Sequence, residues 1–159
     1  MTGDAPELDE FEAMVVDAID RLPDEFQEVL ETVPVVVSEL GAEEKSYGQY
    51  FGDDRELLAV QVERTLRHEL AHVVIDAISH NHAPRWLSEG FAIQLAGEGE
   101  TIKQYQKRGM LSDDELEKRL ERPTSQQDMR GLYAQAYISV ARMVREQGEA
   151  SVWRKLAGN

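Results

Sequence analysis

Apolar positions in this 159-residue chain recur first at helical spacing. Phe11, Met14, Val15, Ala18, Ile19 and Leu22 fall on one face of a helix expected over 9–21. Pro23 interrupts it, and Asp24 and Glu25 open a second short helix through Glu31. The period then changes. Residues 33–37 are Val-Pro-Val-Val-Val, a β-branched run that predicts a strand, with Pro34 at its start or on a sheet edge. A turn over 40–45 leads to a second short strand at 46–51, closed by Gly52, Asp53 and Asp54, and a third follows at 57–60. From 61 to 79 the helical period returns, with Val62, Leu66, Leu70, Val73 and Ala77 as its apolar stripe. The loop His80-Asn81-His82-Ala83 reaches Pro84, which suits the first turn of a helix carrying Trp86, Leu87, Phe91, Ile93 and Leu95 and stopping near Gly97. A shorter helix is expected over 102–108. Ser112 and Glu115 form a capping box before a helix to about 122. A long helix over 128–147 ends at Gly148, and 149–156 closes the chain, with Met143 and Trp153 as core positions.

That order predicts an α+β fold in one domain over 1–159. Its first part, 1–79, holds a small sheet and the helix of 61–79; its second part, 80–159, is mostly helical. Residues 1–7 read as a loose tail. No β-α-β alternation and no glycine-rich phosphate loop is present, so a nucleotide-binding fold has no support.

Composition narrows the classes further. Hydrophobic residues at 42% and charged residues at 30% exclude fibrous and wholly disordered chains. A chain of this length buries a core without needing a disulfide or metal to fold. No apolar run approaches the roughly 20 residues of a membrane helix. The acidic N-terminus lacks the basic and apolar regions of a secretory signal, so a cytoplasmic location is expected. Cysteine is absent, which removes thiolate zinc fingers and thiol catalysis and leaves His and carboxylates as the only metal ligands. The net charge is −14, and residues 1–60 carry all of it, with 17 acids against 3 bases. No basic patch invites nucleic acid or anionic lipid. The acidic first part is either a solvated surface or a field that favours basic peptides.

The chemistry is concentrated at His68-Glu69-Leu70-Ala71-His72. Four residues at 3.6 per turn place both imidazoles on one helix face, where they can chelate one ion. Glu69 stands beside that face and can hold a water and take its proton. Zinc suits two imidazoles and a carboxylate and leaves a position open.

Sixteen residues separate His72 from Glu89 of Trp86-Leu87-Ser88-Glu89-Gly90-Phe91-Ala92. HELAH followed by WLSEGFA resembles the gluzincins, most closely the peptidase MA-like group that includes the large aminopeptidases and the single-domain minigluzincins. The resemblance implies one zinc held by His68, His72 and Glu89, with Glu69 as general base. The connection is two residues shorter than in the large aminopeptidases, and their GxMEN exopeptidase motif has no counterpart. A ten-residue turn with Pro84 can lay a second helix across the first, and Gly90 permits a close approach. Residues 133–137, Tyr-Ala-Gln-Ala-Tyr, are similar to the gluzincin YxKG segment, with Gln135 and Ala136 standing for its lysine and glycine. That implies Tyr133 as donor to the oxyanion; Tyr137, one turn on, is the other candidate, and both rings can equally serve packing. The N-terminal segment, with its helix, Leu-Pro break, short helix and valine-rich run, is similar to small bacterial zincin-like metallopeptidases. His80 and His82 line the cleft, supply a supporting contact behind a metal ligand, or stand exposed in their loop.

The expected function is hydrolysis of peptide bonds in a peptide or protein substrate, with an edge strand at 46–51 or 57–60 receiving the chain. The expected molecule is a monomer or weak oligomer. Two other readings of the same residues stay open: a catalytically silent or latent zinc-bound binding module, and a structural zinc site closed by His80 or His82.

Overall fold

The computed structural model describes residues 8–32, 35, 55–106 and 109–158. Every regular element among them is a helix: α1 (Leu8–Asp20), α2 (Asp24–Leu30), α3 (Arg55–Ser79), α4 (Arg85–Ala96), α5 (Gly99–Lys103), α6 (Asp113–Glu121), α7 (Gln126–Gln147) and α8 (Glu149–Leu156). Among the described residues the fold is therefore all-helical, which corrects the expectation of an α+β fold with an N-terminal sheet. The strand expected at 57–60 is part of α3. Arg55, Glu56, Leu57, Leu58 and Ala59 are all good helix formers, and extending an existing helix avoids the cost of a new nucleus. The strands expected at 33–37 and 46–51, the turn at 40–45 and the tail at 1–7 lie outside the described residues. Val35 alone is described, and it belongs to no helix or strand.

The chain divides into two compact units, Met1–Leu66 and Arg67–Asn159. In the first, Val15 and Ala18 of α1, Leu22 of the turn and Phe26 of α2 are buried, which is the apolar spacing read from the sequence. In the second, α4 is the central helix. Trp86, Leu87, Phe91, Ala92, Ile93 and Ala96 are all buried, so apolar surface surrounds it on nearly every side, as a helix enclosed by others requires. It packs along α7, with α6 beside both and α8 against α7. The Phe91 ring meets the Trp153 indole edge-on at 4.6 Å.

The ends of α4 explain its placement. Pro84 precedes it and offers no capping side chain. Instead the Glu117 carboxylate of α6 accepts from the Arg85 N–H at 2.9 Å and the Trp86 N–H at 3.0 Å, which satisfies two unpaired donors and sets a negative charge at the positive end of the helix. At the other end Gly97 is left-handed, with φ +70°. The Glu98 N–H returns to the Ile93 carbonyl and the Gly97 N–H to the Gln94 carbonyl, a Schellman closure.

Two further expectations are revised. The buried face of α3 within the second unit carries Leu70, Ala71, Ile75 and Ser79; Val73 and Ala77, expected in the apolar stripe, are exposed. The helix expected at 102–108 is α5, which starts earlier and is five residues long. The Ser112–Glu115 capping box forms as read.

Gly90 sets the spacing of α4 and α7. A Cβ there would lie 2.5 Å from the Ala136 carbonyl oxygen and 2.8 Å from Val140 Cγ2. Alanine would gain up to about 1 kcal/mol of helix propensity, but a backbone oxygen cannot yield without separating the helices. Gly90→Ala is expected to destabilise the protein by about 1–3 kcal/mol in urea unfolding. Gly109→Ala, which meets nothing within 4 Å, should change stability by about 0.5 kcal/mol or less.

Asp128, in the first turn of α7, ties α6 to α7. Its carboxylate accepts from the Thr124 N–H and hydroxyl and from Arg119 at 2.6 Å. The Thr124 N–H, then its hydroxyl and the Arg119 charge, hold this carboxyl below the ordinary range. A lowered folded-state value adds stability that is present above the unfolded value of about 3.9 and is lost as pH falls through the folded one. The stability gap between wild type and Asp128→Asn is expected to be full at neutral pH and to close on acidification below about pH 4, followed by denaturant midpoints.

Candidate metal centre

The i, i+4 register of α3 places His68 and His72 one turn apart on one face. Their Nε2 atoms are 3.1 Å from each other. Glu89 enters from the first turns of α4, and its Oε2 lies 3.6 Å from His68 Nε2 and 3.5 Å from His72 Nε2. These three residues are all partly buried and form a group that can hold a metal ion. The fit is dimensional as well as chemical. Nitrogen and oxygen ligands at about 2.0–2.2 Å from a tetrahedral ion must stand about 3.3–3.6 Å apart, close to the three separations found.

Each ligand is held from behind. His68 Nδ1 is 2.9 Å from Glu98 Oε2, and His72 Nδ1 is 3.0 Å from Ser88 Oγ. The Tyr133 hydroxyl, on α7, donates to Glu89 Oε1 at 3.1 Å, and Arg85 Nε lies 3.6 Å from the same oxygen. Glu89 thus turns one oxygen to the histidines and the other to Tyr133 and Arg85.

The electrostatics match. Burial works to lower the pKa of His68, but its contacts with Glu89 and Glu98 outweigh burial and raise it to about 9. Burial works to raise that of Glu89, yet the His68 and His72 imidazoles beside it, with the hydrogen bond from the Tyr133 hydroxyl, hold it well below the usual carboxylate range. Burial and the neighbouring Glu89 charge push the Tyr133 phenol up to about 12, against Arg85. The group therefore favours positive charge at its centre and a neutral phenol at its side.

No family model, curated protein or solved structure matches the chain.

The other sequence candidates fall differently. Glu69 is exposed on α3, next to His68. Tyr137 is buried against α5, where a Cβ at Gly99 would lie 2.1 Å from its ring, and Lys103 Nζ sits 5.5 Å from its ring centroid. His80 and His82 are exposed at the turn between α3 and α4, outside the ligand group. His80 and Asn81 take positive φ, 52° and 61°, so the chain reverses there without a glycine. No helix among the described residues is long and apolar enough to cross a membrane.

Sequence reasoning missed Ser88, Glu98 and Arg85 as contacts of the ligands. Arg85 carried a usable signal, since it lies four positions before Glu89 on the same helix; the Ser88 contact is with His72 on α3, which spacing along α4 does not give. Glu98 carried none, because its reach to His68 depends on how α4 ends.

A divalent transition metal at about a hundredfold its Kd is expected to stabilise the wild-type fold by about 2.7 kcal/mol. His72→Ala and Glu89→Ala should show no such gain in paired thermal melts.

Proposed function

We propose that the chain is a zinc-dependent metallopeptidase of gluzincin type. The observation that carries this is the convergence of His68, His72 and Glu89, each with its second polar atom already engaged, next to a glutamate that immediately follows the first histidine. Two imidazoles and one carboxylate make a set that suits zinc and leaves a coordination position open. When bound there, zinc supplies Lewis acidity, which polarises a peptide carbonyl and makes a water acidic near neutral pH.

The remaining work belongs to side chains of this protein. Glu69, exposed beside His68, takes the proton from the attacking water and delivers it to the leaving amine. Tyr133, neutral with its pKa at about 12, is the phenol nearer the three residues: its single O–H, given to Glu89 Oε1 in this structure, turns to the oxygen that gains charge when substrate enters; its nearness to Glu89 favours it over Tyr137, which faces α5. Arg85 steadies the outer oxygen of Glu89. The substrate is a peptide or protein segment. Residues 57–60 cannot serve as its docking strand, being helical, and the acidic charge of residues 1–60 favours basic sequences.

The test is cleavage of a mixed-sequence quenched peptide library by the zinc-loaded protein beside Glu69→Gln. Wild type is expected to cleave. The variant should keep one zinc per chain and lose activity by about 100-fold or more. Equal cleavage by both would refute Glu69 as the base. Zinc bound at one per chain with no cleavage by wild type would replace the peptidase reading with a silent binding module.

A further inference from the structure

Glu98 is the ninth residue after Glu89 and is 30 positions from His68 in sequence. No spacing rule links it to either. It reaches His68 because α4 ends in the Schellman closure at Gly97. Glu98 is the residue just past the left-handed glycine, its N–H fixed on the Ile93 carbonyl at 3.1 Å. It is also the cap position of α5. Its backbone is therefore held between two helices, and its carboxylate, 30% exposed, lies 2.9 Å from His68 Nδ1. An ionised carboxylate only accepts, so Nδ1 carries the hydrogen. When a single ring hydrogen sits on Nδ1, Nε2 is the nitrogen with a free lone pair.

We propose that Glu98 is a positioning residue for the metal centre: its carboxylate holds the Nδ1–H of His68 and thereby fixes the ring with Nε2 turned to the point shared with His72 and Glu89. This rests on the reading of those three residues as zinc ligands. Ser88 makes the corresponding contact on His72, but a neutral hydroxyl both donates and accepts and specifies the tautomer less firmly. The charged hydrogen bond is the stronger of the two. One helix, α4, together with the two residues that follow it, thus supplies a ligand and the supports of both histidines. The position of Glu98 depends on Gly97, whose φ of +70° is strained for any residue with a Cβ.

The experiment measures zinc affinity of the full chain by competition with a fluorescent chelator, with helicity followed in parallel by circular dichroism. Glu98→Ala is expected to bind zinc about 10–100-fold more weakly at unchanged helicity. Glu98→Gln, whose amide oxygen still accepts from Nδ1, should recover most of that loss. Ser88→Ala should lose less than Glu98→Ala. Gly97→Ala, which keeps the carboxylate but strains its backbone, should weaken binding in the same direction. Glu98→Ala with wild-type affinity would overturn the proposal, as would Glu98→Gln binding as weakly as Glu98→Ala. Failure of the zinc-site reading has a separate signature, since wild type and His72→Ala would then bind zinc alike.

Discussion

How close α4 can come to α7 decides what stands next to Glu89. At Gly90 the two backbones meet with no room for a methyl group, the Ala136 carbonyl oxygen lying where a Cβ would need to be. Glu89 precedes that contact by one residue, and Tyr133 precedes Ala136 by three, nearly one turn. The close approach therefore delivers the Tyr133 hydroxyl to Glu89 Oε1. With that oxygen occupied, the other faces the histidines at 3.5 and 3.6 Å. A wider helix pair would lose the tyrosine contact first.

The same helix resolves a difficulty of burial. A half-buried carboxylate beside two imidazoles is costly unless its lone pairs are used. Glu89 uses both oxygens, and the caps of α4 come from elsewhere: Glu117 at the start and the Gly97 turn at the end. Because Pro84 cannot cap with a side chain, α6 has to be in place before α4 is fully satisfied. Packing of α6 against the start of α4 thereby helps to hold the helix that carries Glu89.

Much of the site was legible. The spacing of His68 and His72 needs only helical geometry, and Pro84 and Gly97 mark the ends of α4 to within a residue. The Tyr133 position followed from resemblance to a short segment, and packing sets its hydroxyl on Glu89 Oε1 and the Tyr137 ring against Gly99. What misled the reading was local ambiguity. A four-residue apolar stretch such as 57–60 fits a strand or a helix alike, and the continuing helix prevails because it adds a hydrogen bond for every residue fixed. On α3, Leu70 of the expected stripe is buried, Val62 and Leu66 are half-buried and Val73 and Ala77 are exposed, while Ala71, Ile75 and Ser79 are buried. Ala71 and Ser79 carry little hydropathy, so periodicity set the stripe to one side of the buried face. Glu98 was invisible because its role arises from a turn, and a turn converts sequence distance into proximity with no periodic trace.

The opposed shifts of His68 and Glu89 share the contact between the two groups, to which His72 and Tyr133 add on the Glu89 side and Glu98 on the His68 side. Two carboxylates, Glu89 and Glu98, flank the His68 imidazole in a partly buried setting, where polar contacts and charge attraction are both stronger than in water. Without a cation the group satisfies this excess by keeping a proton on His68, which is why its pKa stands at about 9 despite the opposing effect of burial. A divalent ion that takes Nε2 must displace that proton, while Glu98 keeps the other ring hydrogen on Nδ1. The proton on Nε2 and the ion therefore compete for one position, and the carboxylate behind the ring supports either occupant.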